Sequence, residues 1–316
     1  MDKFFIIGPP RSGTTLLQFM LRSHPNISIP TGESHFFVPL LKGYSSPKTR
    51  QDITSLLDDI RHFNIDFFDT DLHGLPADIE QVEAELNKQD YHSMAEFIDA
   101  LYQLNAQGEG KSVWGEKTPY YIRHIPLLAR HFPDAKFIAI VRDGRDVALS
   151  MMDRCHDFGV HNVYTAAQHW NYYLEPLRLA LNSEYNDRII TLNYEDLIAQ
   201  PTQILTEALN FIGQDFHPDV INNFKVKSAQ PSELQTPKLA ADIDNKNANK
   251  WMSKMTKRDI ALFNQVCHDN LNYFNYTTQA SLDAPTALYK PLYKLENYLK
   301  TLLQPSHSKI KKSHLS

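Results

Sequence analysis

The sequence predicts an α/β fold in three layers, a central parallel sheet flanked by helices, and two observations carry that reading. A strand, a tight turn and a helix open the chain, and the same theme returns from residue 136 onward with strands and helices alternating. The strands read as unbroken apolar runs, which is the pattern of a parallel sheet covered on both faces.

In chain order, Phe4-Phe5-Ile6-Ile7 is the first such run and ends at Gly8-Pro9-Pro10. Residues 14–22 set Leu16, Leu17, Met20 and Leu21 at helical spacing until His24-Pro25 stops them. The stretch from about 42 to 110 has no strong strand signal but helical pieces near 53–60, 79–86 and 94–104, and is expected to be a helical insertion. Lys136-Phe137-Ile138-Ala139-Ile140-Val141 is a second core strand, followed by Arg142-Asp143-Gly144-Arg145-Asp146 and a helix with Val147, Leu149 and Met151. An aromatic-rich helix over 163–181, a third strand over 188–192 and a helix over 202–212 continue the alternation. Residues 228–249 are polar, contain Pro231 and Pro237 and lack periodicity, which predicts a long loop; a helix is expected over 256–270.

The expected organisation is one domain over 1–283 and a helical tail over 284–316. In the tail Leu288, Leu292, Leu295, Leu299 and Leu302 recur at steps of three and four, and six lysines stand against one acid from Lys290 onward. Such a basic amphipathic helix suits weak contact with an acidic membrane surface, or docking on its own domain with a solvated end.

Composition narrows the function. With 316 residues and 42% hydrophobic content the chain can bury a full core, and 32 Lys+Arg against 37 Asp+Glu leave a net charge of −5. That balance argues against a broad nucleic-acid surface, so any bound anion must meet locally concentrated positive charge. Cys155 and Cys267 show neither metal-ligand nor redox spacing and are expected to be buried thiols. The apolar run after Met1-Asp2-Lys3 is too short for a signal peptide or a membrane span, from which a cytoplasmic location is expected.

Gly8-Pro9-Pro10-Arg11-Ser12-Gly13-Thr14-Thr15 lies between a strand and a helix, the setting that gives a glycine-containing phosphate loop its meaning and makes the fold P-loop-like. Its glycines let backbone N–H groups approach an anion, and the helix start adds partial positive charge. The lysine that would follow Gly13 in a nucleoside triphosphatase is Thr14, while a cation appears earlier as Arg11. That lysine reaches the terminal phosphates, so its absence disfavours ATP or GTP hydrolysis. A single 5′-phosphate bearing one further group fits better. Arg142 falls where a parallel strand ends and Ser150 lies on the helix beyond it; an arginine fork with a hydroxyl makes a receptor for a phosphate monoester.

With this loop, Gly32-Glu33, Glu116-Lys117-Thr118-Pro119, Phe132-Pro133-Asp134-Ala135-Lys136, the 141–150 segment and Lys250-Trp251, the chain resembles the sulfotransferases that use 3′-phosphoadenosine 5′-phosphosulfate (PAPS). The likeness is to the branch containing tyrosylprotein sulfotransferases and bacterial relatives. It does not cover the 42–110 insertion or the tail. It implies that Pro10, Arg11, Ser12, Gly13, Thr14 and Thr15 cradle the 5′-phosphosulfate and that Arg142 and Ser150 hold the 3′-phosphate. Tyr194 is placed near the nucleotide, with a core role as the alternative. Lys250 and Trp251 are placed on it too, Lys246 and Lys254 remaining open for the basic role. Arg145 and Asp143 are expected to be surface or structural charges.

The resemblance implies Glu33 as the general base, with Lys117, aided by Arg11, facing the transferring group. His35 is the rival base, since imidazole titrates near neutral pH. No metal is required, PAPS is the donor and adenosine 3′,5′-bisphosphate (PAP) the product. The acceptor is a hydroxyl on a small molecule, sugar, lipid or peptide tyrosine; His62, Phe63, Phe67, Phe68, Tyr91 and His92 of the insertion are candidates to line its pocket, core packing being the alternative. Nucleic acid is not an expected partner, and homodimerisation is left open. Two other classes compete: a P-loop kinase or nucleotidase, and a nucleotide-binding protein that has lost its chemistry.

Overall fold

The structure is a computed structural model and describes residues 1–63, 74–76, 78–224, 247–276 and 290–303. A five-stranded sheet forms its centre, built from β1 (Asp2–Ile7), β2 (Ile27–Ser28), β3 (Val113–Lys117), β4 (Lys136–Val141) and β5 (Ile189–Asn193) in the order β2-β3-β1-β4-β5. All neighbours run parallel, with Ile6 beside Lys117 on one side and Ile138 on the other.

Alternation along the strands feeds two cores. Phe5, Ile7, Phe137, Ala139 and Val141 point to one face, where they meet Trp114, Phe37 and Trp170. Phe4, Ile6, Ile138 and Ile140 point to the other, packed on Leu17, Met20, Leu205 and Leu209. Strands whose alternate residues enter separate cores must be apolar throughout, which is why they read as continuous runs.

Helices α1 (Thr14–Arg22), α2 (Phe37–Gly43), α3 (Arg50–Phe63), α4 (Ile79–Leu86) and α5 (Met94–Gly108) precede β3. The last of these packs on β3 and β2, and Ile53, Leu57, Phe97 and Tyr102 join the first core, so this stretch forms part of a helical layer. Then follow α6 (Ile125–His131), α7 (Gly144–Asp153), α8 (Cys155–Phe158) and α9 (Val163–Leu181). After β5 come α10 (Tyr194–Ala199), α11 (Pro201–Phe211), α12 (Asp219–Asn222), α13 (Trp251–Lys254), α14 (Lys257–Val266), α15 (His268–Tyr273) and α16 (Lys290–Leu303).

Differences from the sequence reading are local. The helix expected over 256–270 is two helices, broken at Cys267, and β2 and β3 were not foreseen. Most of the expected 228–249 loop lies outside the described residues. Cys267 is buried as expected, whereas Cys155 is half-buried on the short α8. The tail helix α16 docks on its own domain, though by its polar side.

Candidate active site

The chain passes from β1 to β2 and β3 on one side, then crosses to β4 and β5 on the other. The carboxyl ends of β3, β1 and β4 therefore lie side by side, at the kind of switch point where α/β sheets bind ligands. They present Lys117, the 8–13 loop and Arg142 in that spatial order.

The loop is a tight turn in which Ser12 N donates to Pro9 O at 3.1 Å. Arg11 and Gly13 both adopt left-handed backbone, at φ 71° and 96°. Alternating handedness of this sort turns successive N–H groups toward one point, as in anion-binding nests. A side chain at Gly13 would put Cβ 2.5 Å from the Tyr194 ring, which closes the loop from below. At Thr14 the helix α1 begins with no side-chain cap and no acid in its first turn, leaving its first N–H groups for an outside acceptor. The Ser12 hydroxyl is buried with no hydrogen-bond partner among the described residues.

Around this loop the positive charge is concentrated, as the sequence required. Arg11 Nε donates to Ser150 Oγ at 3.1 Å, and Arg142 Nη1 donates to Arg11 O at 3.3 Å. Burial, then the charges of Arg154 and Arg142, hold the Arg11 guanidinium below its ordinary pKa. Arg142 lies 4.6 Å over the Tyr194 ring and 3.7 Å from Asp146, while its buried Nε has no partner among the described residues. Lys250 Nζ donates to Asn247 Oδ1 at 2.7 Å, on the same segment whose Asn247 O accepts from Arg142. Lys246 lies outside the described residues.

Trp251 is held to the 143–146 turn at two points. Its backbone N–H donates to Asp146 Oδ1 at 2.9 Å, and its ring lies 3.6 Å beneath the Arg145 guanidinium. Arg145 is 2% exposed and paired with Asp143 at 2.7 Å, so these charges are structural and buried rather than on the surface. Together they brace the turn that presents Arg142.

Beside the loop, Lys117 Nζ donates to Glu33 Oε1 at 2.7 Å, and His35 Nε2 lies 3.2 Å from Glu33 Oε2. The Lys117 side chain is 3% exposed and that of Glu33 37%, so the carboxylate stands at a mouth with the ammonium below it. Burial pushes the Glu33 carboxyl up, but Lys117 and His35 outweigh it and hold the pKa at about 2. His35 has a left-handed backbone, φ 54°, uncommon for a residue with a Cβ.

A second carboxyl, Glu116 of the Glu116-Lys117-Thr118-Pro119 motif, underpins this segment. Glu116 Oε1 accepts from Thr118 Oγ1 at 2.6 Å and Ser34 Oγ at 2.8 Å, while its buried Oε2 has no partner among the described residues. Burial raises the Glu116 pKa to about 7. Tyr121 Oη lies 2.9 Å from Ser34 Oγ and accepts from Phe37 N at 3.0 Å, locking the backbone on either side of His35.

Of the aromatics named from the insertion, Tyr91 is in the core, donating its hydroxyl to Leu86 O at 2.7 Å. His92 lies just before the Ser93 cap of α5, its backbone N–H donating to Glu96 Oε2 at 2.7 Å. The side chains of His62 and Phe63, and residues 67 and 68, lie outside what the structure describes. Tyr121 and Tyr173 sense Glu33 electrostatically. A cleft of about 840 Å³ lined by Arg123, Tyr172 and Arg178 shares no residue with this constellation, so chemistry rather than volume locates the site. Among the described residues there is no His, Cys, Asp and Glu cluster able to hold a metal ion.

A tight glycine-containing loop, flanking cations and a carboxylate meet at a parallel-sheet switch point, an arrangement suited to group transfer from an anionic donor. The chain belongs to the sulfotransferase family, whose model matches residues 3–218. It is 24% identical over 274 residues to protein-tyrosine sulfotransferase 1 of Danio rerio, covering 83% of this chain and 70% of that protein. It is also 24% identical over 268 residues to the protein-tyrosine sulfotransferase of Drosophila melanogaster, covering 81% of this chain but 48% of the relative's length. The sulfotransferase domain of the Synechococcus PCC 7002 olefin synthase shares the fold, with TM-score 0.62, 24% identity and coverage of 88% of this chain and 96% of that one. Membership makes sulfuryl transfer its class of reaction.

Proposed function

We propose that this chain transfers the sulfuryl group of PAPS to a hydroxyl by in-line displacement, with Glu33 as general base. The observation that carries the reading is the 2.7 Å Glu33–Lys117 pair set beside the phosphate-type loop and opposite Arg142. The donor fits the residues present: among the described residues Ser12 Oγ and Arg142 Nε are buried hydrogen-bonding atoms without a partner, and the start of α1 is uncapped. The loop amides with Ser12, Thr14 and Thr15 would take the 5′-phosphosulfate; Arg142 with Ser150 would take the 3′-phosphate. When bound, the donor supplies an activated sulfur with a phosphate leaving group.

The residues then divide the work. Glu33 accepts the acceptor's hydroxyl proton as that oxygen bonds to sulfur and the sulfur–phosphate oxygen bond breaks with its electron pair on the phosphate. Lys117 and Arg11 meet the charge developing there. At a pKa of about 2 Glu33 is a weak base while it shares its charge with Lys117. Drawing that ammonium toward the leaving oxygen frees the carboxylate, so base strength rises when the donor is in place. His35 orients Glu33 from its other oxygen. A tyrosine phenol is the first acceptor to test, because the curated relatives are named for it. A cytoplasmic setting belongs to the same proposal.

The test is nucleotide-specific stabilisation followed by transfer of labelled sulfate. PAP should stabilise the protein by about 2.7 kcal/mol at a hundred times its dissociation constant, with AMP and ATP doing much less. Equal effects of all three would overturn the 3′-phosphate assignment. Transfer from ³⁵S-labelled PAPS to a panel of phenols, sugars, sterols and tyrosine peptides identifies the acceptor; no transfer to any class, with PAP binding intact, would overturn the catalytic reading.

A further inference from the structure

The tail helix α16 is held to the start of α9 by its polar side. Asn297 Oδ1 accepts from His161 N at 2.8 Å, and Asn297 Nδ2 donates to Gly159 O at 2.9 Å. Asn162 Nδ2 donates to Tyr293 O at 2.8 Å, and the Tyr293 ring stacks on Tyr164 at 5.9 Å. An amphipathic helix that docks to complete a core buries its leucines. Here the opposite holds: Leu292, Leu295, Leu299 and Leu302 are 47–61% exposed, and Leu303 is 81% exposed.

Charge identifies what would cover this stripe. At about 100° per residue, Lys294 and Lys300 lie to either side of the leucines, roughly 120° from the axis of the stripe. From residue 290 onward there are six lysines and one acid, in a chain whose net charge is −5. The acid, Glu296, is engaged by Lys300 at 2.6 Å. Two such segments facing each other would bring like charges together, which disfavours a second copy as the occupant. An apolar stripe between lysines matches instead an interface whose interior is hydrocarbon and whose rim is anionic.

We propose that α16 docks this chain on an anionic membrane surface, its leucines in the headgroup boundary and its lysines against lipid phosphates. The position of the helix gives the contact a purpose. Ser150 touches Arg11 of the phosphate-type loop, and Gly159, further along the same α7–α8 segment, touches Asn297. Docking through α16 therefore holds the site at a fixed distance from the surface.

Co-sedimentation of the full chain with phosphatidylcholine vesicles, with and without phosphatidylserine, tests this without donor or acceptor. Binding should be about tenfold stronger to the anionic vesicles and fall at high salt. Changing Leu292, Leu295, Leu299 and Leu302 together to Ser should abolish it with the melting temperature unchanged, because these side chains are exposed. Lys290→Gln, Lys294→Gln and Lys300→Gln combined should remove the preference for anionic lipid. Absence of vesicle binding, or equal binding by the leucine variant, would overturn the proposal. So would a dimer in light scattering that the leucine variant converts to monomer, which would give the stripe to a second copy.

Discussion

At Glu33 burial and charge pairing act in opposite directions, and pairing prevails, leaving a carboxylate with pKa about 2. The pH profile of kcat/KM reports the free enzyme, so with Glu33 as base it should stay flat on the acid side down to about pH 4. A histidine base would instead bend the profile near about 6.5. Glu33→Gln should lower kcat by about 10²- to 10⁴-fold while PAP still raises the melting temperature; retained turnover would transfer the role to His35. Glu116 shows the reverse balance, its pKa lifted from 4.5 to about 7 because burial dominates over the Thr118 and Ser34 hydroxyls. A raised carboxyl favours the folded state most below its unfolded value, and that contribution is lost as pH rises through the folded one. The wild-type melting temperature should therefore decline between about pH 4.5 and 7 more steeply than that of Glu116→Gln. Parallel curves for the two proteins would remove Glu116 from the account.

At the scale of elements, the turn between β1 and α1 depends on one glycine. Gly13→Ala meets two obstacles, a φ of 96° and a Cβ placed 2.5 Å from the Tyr194 ring. The backbone conformation alone costs about 1–3 kcal/mol, and Gly13→Ala should also lose PAP-induced stabilisation. Adding Tyr194→Ala should relieve the clash and not the backbone, so recovery of stability should be partial; full recovery would mean the left-handed conformation is not needed. This turn was legible in the sequence because its logic is local: an apolar run, a glycine frame and a helix start within a few residues. β1, β4 and β5 were legible for the same reason. β3 was not, since Val113-Trp114-Gly115-Glu116-Lys117 ends in charges that only distant partners make tolerable in a fully buried strand. The partner of Glu116, Ser34, is 82 residues away, and that of Ser34, Tyr121, 87 residues away. Glu33 and Lys117 were each named from motifs, but their 2.7 Å contact appears only once β3 is placed beside β1. Trp251 was named from the Lys250-Trp251 pair, and its contact with the buried Arg145, more than a hundred residues away, is one the sequence does not show.

For the whole molecule, the sheet is shared by two cores, so opening one face exposes strands that the other also needs. Cys267 reports on this cooperativity. It is 1% exposed, its thiol donates to Ala167 O at 3.3 Å, and burial pushes its pKa well up, so thiolate chemistry requires opening. Cys155 is half-buried and would react first, so the experiment uses Cys155→Ser. Cys267 belongs to the first core, while the phosphate-type loop is braced from the second through Tyr194 and Ile140. If exposure of Cys267 requires the sheet to come apart, PAP at a hundred times its dissociation constant should slow thiol labelling about a hundredfold, since it withdraws that fraction from the open state. If α14 and α15 peel off alone, the loop stays intact in the open state and PAP leaves the labelling rate unchanged. The Asp143–Arg145–Trp251 brace decides between these, because Arg145 also reaches Asn264 of α14 at 3.4 Å and so joins that helix to the turn that presents Arg142. The expected outcome is the hundredfold slowing, with the rate of Cys155 labelling in the unmodified chain much less affected.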